Sequence, residues 1–474
     1  MKTDADKQNE DTGTLSPVEG WSGATIYFIG IGGIGMSAIA RYFQSKGARV
    51  SGYDRAETPL TKNLIEEGID VHYEEDVEKI PKDADIVVYT PAVPGEHKEL
   101  VYYQLNGFRV VKRSDILQII TQSSFNICVA GTHGKTTTTT MIAHLLRDSG
   151  YGCNAFLGGI SANYHTNFWA SEKNVCVIEA DEYDRSFLKL NPDLAIITAM
   201  DADHLDIYET ADKVKQAYRD FAGKVKEGGL LIKKFGLDRN MEAAHTLAYS
   251  LQNDSADSYA ANIQLKEGGY SFDFIMRDKT IDGIELNMGG MHNVENMVAA
   301  ITAASSLNID SDKIKNAVAS FKGVKRRFEY VIKNGELVFI DDYAHHPEEL
   351  KALINSVKSL FSQKKCTVIF QPHLFTRTRD FAAEFAEVLG LANKVILLPI
   401  YPARELPIEG VESDLILSKM KLDNGQVMTK EELLQWIEND FNRNRNKEFG
   451  EVLVTAGAGD IDKLIEPIKK LLTN

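Results

Sequence analysis

The sequence ICVAGTHGKT, residues 127–136, runs from an apolar segment into a glycine-rich turn, and an amphipathic helical pattern follows it. Glycines let a backbone wrap closely around phosphate oxygens, and the N–H groups at a helix start attract anions. From an exposed loop, Lys135 can reach the β- and γ-phosphates of a nucleotide, and the Thr136 hydroxyl can bind Mg²⁺. The turn has two residues between its glycines, whereas the common phosphate loop has four. The context of strand, turn and helix favours a shortened phosphate loop over a plain glycine turn.

Two acidic clusters each follow an apolar segment of the same region. EADE, residues 179–182, follows the first segment, and DADHLD, residues 201–206, follows the second. Mg²⁺ prefers carboxylate oxygens, usually together with waters and phosphate oxygens. Next to a phosphate loop, the pattern favours Glu179 as a metal ligand over a solvated acidic loop. For His204, a ligand role and a structural role both remain open.

A second glycine turn lies near the start of the chain. GIGGIG, residues 30–35, fits G-x-G-x-x-G between an apolar segment and a helical pattern, and Asp54 follows about 20 residues further on. This fingerprint indicates a diphosphate and a ribose at a helix start. By itself it does not separate NAD from another nucleotide, because Asp54 can accept a hydrogen bond from either.

Basic and histidine-rich segments occupy the last third of the chain: Arg326-Arg327, DDYAHHP (residues 341–347), QPH (residues 371–373), Arg377 and Arg379. Arginine binds carboxylate and phosphate through two parallel hydrogen bonds. The two adjacent histidines can bind a substrate or cap the helix that Pro347 begins. Earlier in the chain, His292, Asn293 and Asn296 open a helix after a glycine pair, and Asn293 can be its N-cap.

Alternating apolar segments and helical patterns predict an α/β fold with parallel sheets. The blocks are 24–123, 124–323 and 324–474, after a disordered tail at 1–23. The predicted strands are 25–29, 50–53, 86–89, 127–130, 175–178, 194–198, 270–275, 337–340, 367–370, 395–398 and 452–455, and a helix is predicted at 293–306. The polar clusters follow these strands, where open α/β sheets bind ligands.

Composition excludes several classes of protein. The net charge of −15 argues against nucleic-acid binding, which needs clustered Lys and Arg. The four cysteines form no C-x-x-C pair, so neither a zinc site nor a disulfide framework is indicated. The chain has no apolar stretch long enough to cross a bilayer and no signal peptide, so we expect a cytoplasmic protein.

Together and in this order, the motifs resemble the Mur ligases, ATP-dependent amide-forming enzymes of peptidoglycan assembly. The resemblance covers nearly the whole chain after the tail. It is strongest to members that join L-alanine to UDP-N-acetylmuramate, and it is carried by Met36-Ser37, His133, residues 179–184, residues 342–347, and QPH with TRTR at residues 371–379. It implies a Rossmann-like UDP-sugar domain, a central P-loop-type ATPase domain with a mainly parallel sheet, and a Rossmann-like C-terminal domain that binds the amino acid.

The resemblance also implies roles for individual residues. The implied ATP contacts are Gly131, Thr132, His133, Gly134, Lys135, Thr136, Thr137, His292, Asn296 and Arg327. The implied Mg²⁺ ligands are Thr136, Glu179 and His204. The implied UDP-sugar contacts are Gly30, Gly32, Gly33, Gly35, Ser37 and Asp54, and the implied contacts on the alanine side are His345, Arg377 and Arg379. Lys135, His204, Arg327 and His345 are the implied catalytic residues. Several relatives carry a carbamylated lysine where spacing places Arg219 here, so no such modification is expected.

The reaction implied is the formation of an acyl phosphate from the muramoyl carboxylate and ATP, followed by attack of the alanine amine. The implied partners are UDP-N-acetylmuramate and L-alanine, with no nucleic acid or membrane, for a monomer or homodimer. Three alternatives remain: a recycling ligase that adds a tripeptide to the same sugar nucleotide, an NAD-dependent dehydrogenase with an added domain, and a regulatory ATP-binding protein.

Overall fold

The computed structural model describes residues 20–201, 205–277, 279–403, 405–421 and 424–473. They form two compact units. The first unit runs to Gly159 and includes Thr166–Ala248; the second consists of Ile160–His165 and everything from Tyr249 onward. Among the described residues, no helix is long and apolar enough to cross a membrane. The three-domain boundaries expected from the sequence stay a prediction.

The first unit begins with a five-stranded parallel sheet in the order β3-β2-β1-β4-β5. Its central strand is buried along its whole length, which matches the continuous apolar pattern of parallel sheets covered on both faces. The elements are β1 (Thr25–Ile29), α1 (Ile34–Ser45), β2 (Arg49–Tyr53), α2 (Pro59–Glu66), β3 (Asp70–His72), β4 (Ile86–Tyr89), α3 (Lys98–Leu105), β5 (Val110–Lys112) and α4 (Arg113–Gln122).

A second sheet of the first unit carries the phosphate-loop sequence. Its elements are β6 (Phe125–Ala130), α5 (Lys135–Asp148), β7 (Asn154–Phe156), β8 (Phe168–Trp169), β9 (Val175–Glu179), a 3₁₀ helix (Tyr183–Lys189), β10 (Leu194–Ile197), α6 (Leu205–Tyr208), α7 (Ala211–Ala222), β11 (Leu230–Lys234) and β12 (His245–Ser250), which crosses into the second unit. The order β11-β10-β6-β9-β7 is parallel, and β8 joins as an antiparallel edge. β6 therefore lies inside the sheet, with β9 and β10 as neighbours.

The second unit contains an antiparallel β13-β14-β15 meander and a six-stranded sheet in the order β16-β17-β21-β18-β19-β20, parallel except for β16. Its elements are β13 (Ser258–Lys266), β14 (Gly269–Met276), β15 (Lys279–Leu286), α8 (Met291–Ser306), α9 (Ser311–Ser320), β16 (Glu329–Lys333), β17 (Leu337–Asp342), α10 (Pro347–Leu360), β18 (Lys365–Phe370), α11 (Phe375–Asp380), α12 (Ala382–Leu389), β19 (Lys394–Leu397), α13 (Asp414–Leu417), β20 (Gly425–Val427), α14 (Lys430–Trp436), a π-helix (Ile437–Phe441), β21 (Glu451–Ala456), a 3₁₀ helix (Asp460–Leu464) and α15 (Ile465–Thr473).

Each predicted strand is present, with ends that differ by at most two residues, and the α/β class with parallel sheets is confirmed. The segment 270–275 has an alternating apolar pattern because β14 belongs to the antiparallel meander. The helix predicted from residue 293 begins two residues earlier, at Met291. All four cysteines are buried and unpaired, as small core residues.

The two sheets of the first unit are joined through α1. Tyr42 of this helix packs its ring against Phe156 and Phe168, with centroids 5.4 and 6.1 Å away. The buried Arg41 donates to Asn167 and makes two further hydrogen bonds, of 2.6 and 2.9 Å, to the carboxylate of Glu67. These contacts bring the first glycine turn and the phosphate-loop sheet into one compact unit.

Ser37 also belongs to this contact. Its side chain is fully buried, and its hydroxyl accepts a 3.0 Å hydrogen bond from the Asn167 amide and donates to the carbonyl of Ile34. A hydroxyl enclosed in this way faces protein on all sides. Ser37 therefore has a packing role, and its expected contact with the UDP-sugar stays a prediction.

We expect Arg41→Met to lower the free energy of unfolding of the first unit by about 2 kcal/mol, because it removes charged hydrogen bonds from a buried position. The matched control is Arg49→Met, which breaks the exposed pair with Asp83 and should cost at most about 1 kcal/mol. Urea unfolding followed by tryptophan fluorescence, to which Trp21 and Trp169 contribute, measures both. Equal losses in the two variants would contradict a joining role for Arg41.

Candidate active site

The phosphate-loop sequence forms a tight turn between β6 and α5. Gly131 has φ 138°, and a Cβ there would overlap the hydroxyl of Thr198, so only glycine allows the loop to pass this close to the end of β10. Gly134, with φ 80°, occupies the N-cap position of α5. Within the described residues no side chain caps this helix start. Its first N–H groups are thus available to an anion.

Lys135 is the first residue of α5 and is largely buried. Its ammonium donates to the Gly131 carbonyl at 2.7 Å and to Glu182 Oε1 at 2.8 Å. The Glu182 side chain is only 2% exposed. The expectation of an exposed loop lysine is therefore wrong, because the buried carboxylate draws the ammonium inward. Glu182 is a site residue that sequence reasoning missed: it is one of several acids in the cluster, and spacing does not show which one turns inward.

Thr136 and Glu179 lie together, as predicted. The Thr136 hydroxyl donates to Glu179 Oε1 at 2.9 Å. Gly158 approaches this carboxylate so closely that a Cβ would overlap Glu179 Oε2. One carboxylate and one hydroxyl, completed by phosphate oxygens and waters, suit Mg²⁺. No cluster of three or more His, Cys, Asp or Glu able to hold a metal occurs among the described residues, and the third predicted ligand, His204, lies outside them.

The second acidic cluster touches the phosphate loop through Asp201. Its backbone N–H donates to the Thr132 hydroxyl at 3.1 Å, and its carboxylate lies 3.8 Å from the His133 ring. The Thr198 hydroxyl donates to the His133 carbonyl at 2.5 Å. The loop is thus held at both of its middle residues from the end of β10. Thr137, the last predicted ATP contact in this region, is buried inside the first turn of α5.

The first glycine turn closes onto Asp54. The Gly30 N–H donates to the Tyr53 carbonyl at 2.8 Å, and the Gly32 N–H donates to the Asp54 carboxylate at 2.8 Å. Gly33 is the N-cap residue of α1, and Gly35 lies in the first turn of that helix. The structure thus brings the predicted turn and Asp54 together at the end of β1 and β2.

A cavity of about 140 Å³ lies beside the first glycine turn, inside the first unit. Gly35 and Ala38 of α1 and Arg113 of α4 form one side of it. Glu179 and Asp181, after β9, form another. Because Glu179 also binds Thr136, the cavity reaches from the first helix start to the predicted metal ligands.

A cluster of rings and cations lies in the second unit, after β17 and β18. The guanidinium of Arg327 lies 5.4 Å from the Tyr343 ring, and the Tyr343 ring lies 5.3 Å from that of His345. The His345 ring faces His373 at 5.9 Å, and His373 stacks on Tyr401. The predicted residues Arg327 and His345 are therefore neighbours in this cluster.

Two polar atoms of this cluster are buried without a hydrogen-bond partner among the described residues: Arg377 Nη1 and His373 Nδ1. Burial lowers the pKa of both His345 and His373, so their rings are neutral near pH 7. A buried guanidinium N–H without an acceptor is costly unless a ligand supplies one. This cluster therefore suits a small molecule with a carboxylate. His373 was quoted in the sequence motif but was not assigned a role.

The other basic residues of this region have different surroundings. Arg379 is exposed, and its guanidinium pairs with the adjacent Asp380 at 2.8 Å. His346 is the N-cap residue of α10, and its backbone N–H donates to Glu349. The two roles expected for the histidine pair therefore fall to different residues. His346 caps the helix, whereas His345 faces the cluster of rings and cations. Asp342 accepts the N–H groups of Phe328 and Ala344, which shapes this loop.

His292 and Asn296 both lie on α8 of the second unit. Asn296 is buried, and its amide donates to the Asn293 side chain at 3.3 Å. Asn293 is inside the first turn and donates to the Gly289 carbonyl, so it is not the N-cap; that position is Gly290. The adenine-contact assignment for His292 and Asn296 stays a prediction.

Comparison with known domains covers most of the chain. Residues 25–124 match the Mur ligase family catalytic domain, residues 129–304 the Mur ligase middle domain, and residues 326–459 the Mur ligase glutamate ligase domain. The chain belongs to the Mur ligase family. Because Mur ligases use ATP, membership implies an ATP-dependent ligase and removes the dehydrogenase alternative.

Among Mur ligases, the similar proteins include full-length relatives. The chain is 46% identical over 456 residues to the UDP-N-acetylmuramate–L-alanine ligase of Porphyromonas gingivalis, covering 94% of this chain and 98% of the relative. It is 47% identical over 457 residues to the ligase of that name from Phocaeicola vulgatus, covering 94% and 98%.

Solved structures of Mur ligases show the same architecture. The UDP-N-acetylmuramate–alanine ligase of Thermotoga maritima matches with a TM-score of 0.77 and 27% identity, covering 95% of this chain and 98% of that one. A murein peptide ligase from Psychrobacter arcticus matches with a TM-score of 0.65 at 21% identity, over 95% of this chain and 99% of that one, and this likeness shows the fold alone.

Arg219, which spacing alone matches to the modified lysine of other Mur ligases, forms an ion pair with Asp238. Its Nε donates to Asp238 at 2.7 Å, and its Nη1 donates to Gln216. A guanidinium is always charged and is not a target of carbamylation. The absence of the carbamylated lysine from this Mur ligase stays a prediction, and the ion pair between Arg219 and Asp238 supports it.

Lys135→Ala should lower the turnover of this Mur ligase about a hundredfold or more, because it removes the cation that stabilises the transferring phosphoryl group. It should also cost about 3 kcal/mol of folding free energy, since it removes the ammonium that pairs with the buried carboxylate of Glu182. The double variant Lys135→Ala/Glu182→Gln should recover most of the stability and none of the turnover. Steady-state phosphate release and thermal unfolding measure the two effects. Recovery of turnover in the double variant would contradict the assignment.

Proposed function

We propose that this protein joins the carboxylate of UDP-N-acetylmuramate to the amine of L-alanine, with hydrolysis of ATP to ADP and phosphate, in peptidoglycan precursor synthesis. The observation that carries the proposal is the position of Glu179. It binds Thr136 of the ATP loop on one side and lines the cavity that begins at the first glycine turn on the other. Both relatives with 46–47% identity over nearly the full chain carry this activity in their names.

The ATP half of the reaction takes place at residues 131–136. A carboxylate is a poor electrophile, so its oxygen first attacks the γ-phosphorus of ATP, and ADP leaves. Lys135, which contacts Glu182 in the structure, would move to the transferred phosphoryl group, where its charge stabilises the transition state. Thr136 and Glu179 would hold Mg²⁺, which neutralises phosphate charge when bound.

The first glycine turn would hold the UDP-sugar. The start of α1 presents backbone N–H groups to a diphosphate, as helix starts do in nucleotide-binding folds. NAD presents a diphosphate to the same kind of turn. In a ligase that transfers no hydride, a nicotinamide has no role, and this favours the UDP-sugar. Asp54, which accepts a hydrogen bond from the Gly32 N–H, would accept another from the ribose or the uracil.

The second unit would bind the amino acid. The orphaned Nη1 of Arg377 is a donor for the alanine carboxylate. The alanine ammonium must lose a proton before it attacks the acyl phosphate, and the neutral His345 or His373 can accept it. The amine nitrogen then bonds to the carbonyl carbon, and phosphate leaves. Arg327, beside Tyr343, is a further cation for phosphate. Action in the cytoplasm, as a monomer or homodimer without nucleic acid or membrane, stays a prediction.

The whole protein, supplied with ATP, Mg²⁺, UDP-N-acetylmuramate and L-alanine, should release phosphate and form a product heavier than the sugar nucleotide by one alanine residue. Omission of UDP-N-acetylmuramate, or its replacement by UDP-N-acetylglucosamine, should abolish phosphate release because no carboxylate is activated. Omission of L-alanine should do so because no amine attacks the acyl phosphate. Phosphate assay and mass spectrometry measure both. Product with the tripeptide but none with alanine would overturn the alanine assignment and leave the family membership intact.

Glu179→Gln should raise the Mg²⁺ concentration needed for half-maximal activity at least about tenfold, because an amide oxygen binds the ion more weakly than a carboxylate. The control is Glu74→Gln, at an exposed position whose partner is Lys79, which should leave the Mg²⁺ requirement unchanged. Activity is measured across a Mg²⁺ titration. An unchanged requirement in folded Glu179→Gln would remove this residue from the metal site.

A further inference from the structure

Arg113 lines the cavity and has no role in the reaction proposed above. It is the first residue of α4, and its guanidinium lies against Gly35 in the first turn of α1. Its Nη2 is 3.6 Å from Asp181 Oδ2, on the opposite sheet of the first unit. One side chain therefore reaches from the first glycine turn to the acidic cluster that follows β9.

Carboxylates outnumber cations among the side chains that line the cavity. Its lining residues include one cation, Arg113, and two carboxylates, Glu179 and Asp181. An anion that enters next to two carboxylates is repelled unless a cation compensates at short range. Arginine does so with two parallel hydrogen bonds to a carboxylate, which also fixes the plane of the bound group.

The route of the substrate places its carboxylate at this point. This step rests on the proposed function. In that reaction the diphosphate would be held at the start of α1, and the γ-phosphate would lie near Lys135, which contacts Glu182, and Thr136, which contacts Glu179. In-line attack needs the acceptor carboxylate close to that phosphate. Arg113 lies between the two ends, in contact with Gly35 and facing Asp181.

The start of α4 is held in place by a second contact. Lys189, at the end of the 3₁₀ helix, forms an ion pair with Asp115 and donates to the Ser114 hydroxyl at 3.0 Å. The first turn of α4 is therefore anchored independently of Arg113. Since the Arg113 side chain is 32% exposed and its distance to Asp181 is long for an ion pair, it can change partner without moving the helix.

We propose that Arg113 binds the carboxylate of the acceptor sugar, exchanging Asp181 for it, and thereby selects UDP-sugars that carry an acid from those that do not. In the protein without ligand, Asp181 holds the guanidinium at the cavity. On binding, the substrate carboxylate takes over this cation and is oriented for attack on the γ-phosphate. Arg113 is then a specificity-determining residue as well as a binding residue.

Calorimetric titration of the whole protein tests this, with Mg²⁺ and a non-hydrolysable ATP analogue present. The two probes are UDP-N-acetylmuramate and UDP-N-acetylglucosamine, which differ by the lactyl group that bears the carboxylate. The unaltered protein should prefer the muramate. Arg113→Gln should reduce this preference at least about tenfold, through weaker muramate binding with unchanged glucosamine binding. Arg113→Lys should keep part of the preference, because it keeps the charge without the paired hydrogen bonds.

Two control variants separate recognition from structure. Lys189→Gln breaks the other contact of α4 and should leave the preference unchanged. Asp181→Asn releases Arg113 and should maintain or increase the preference. Equal loss of affinity for both probes in Arg113→Gln, a full preference in that variant, or a loss of preference in Lys189→Gln would each overturn the assignment. An unaltered protein that binds neither probe would instead contradict the proposed function itself.

Discussion

The parallel pairing of β6 with β9 on one side and β10 on the other determines where chemistry can take place in the first unit. Parallel neighbours end at the same edge, so the turn after β6 meets the polar residues that follow the other two strands. Gly131 passes so close to Thr198 that only glycine fits. This backbone contact fixes the turn, and the turn places Lys135 and Thr136 against the carboxylates after β9.

Charge pairing explains why so polar a region is stable without a ligand. Lys135 is paired with Glu182, and Arg113 faces Asp181, so the cations are partly neutralised inside the fold. An anionic substrate replaces one carboxylate partner by another. The exchange avoids the large cost of moving an unpaired cation out of water. The binding energy of the substrate can then orient its reacting groups. The second unit differs, because Arg377 keeps a buried donor without an acceptor among the described residues.

Sequence patterns located the strands and both glycine turns because burial on two faces of a parallel sheet leaves a local signature of consecutive apolar residues. These patterns did not predict contacts between a side chain and partners that are distant in sequence. Lys135 was expected to be exposed, yet Glu182 holds it inside. The hydrogen bond between Ser37 and Asn167 also joins residues far apart in the chain. His346 begins a helix, a role that the sequence left open between two readings.

The sequence by itself determined the α/β class, the order of the motifs and membership in the Mur ligases, because glycine, apolar and acidic residues at fixed spacing encode strand, turn and phosphate loop locally. Only the tertiary structure decided that Arg113 reaches from one glycine turn to Asp181, and that His345 and His373 meet in one cluster. The physical reason is that these contacts join residues far apart in the chain. Their distances depend on how whole sheets and helices pack, which no local spacing records.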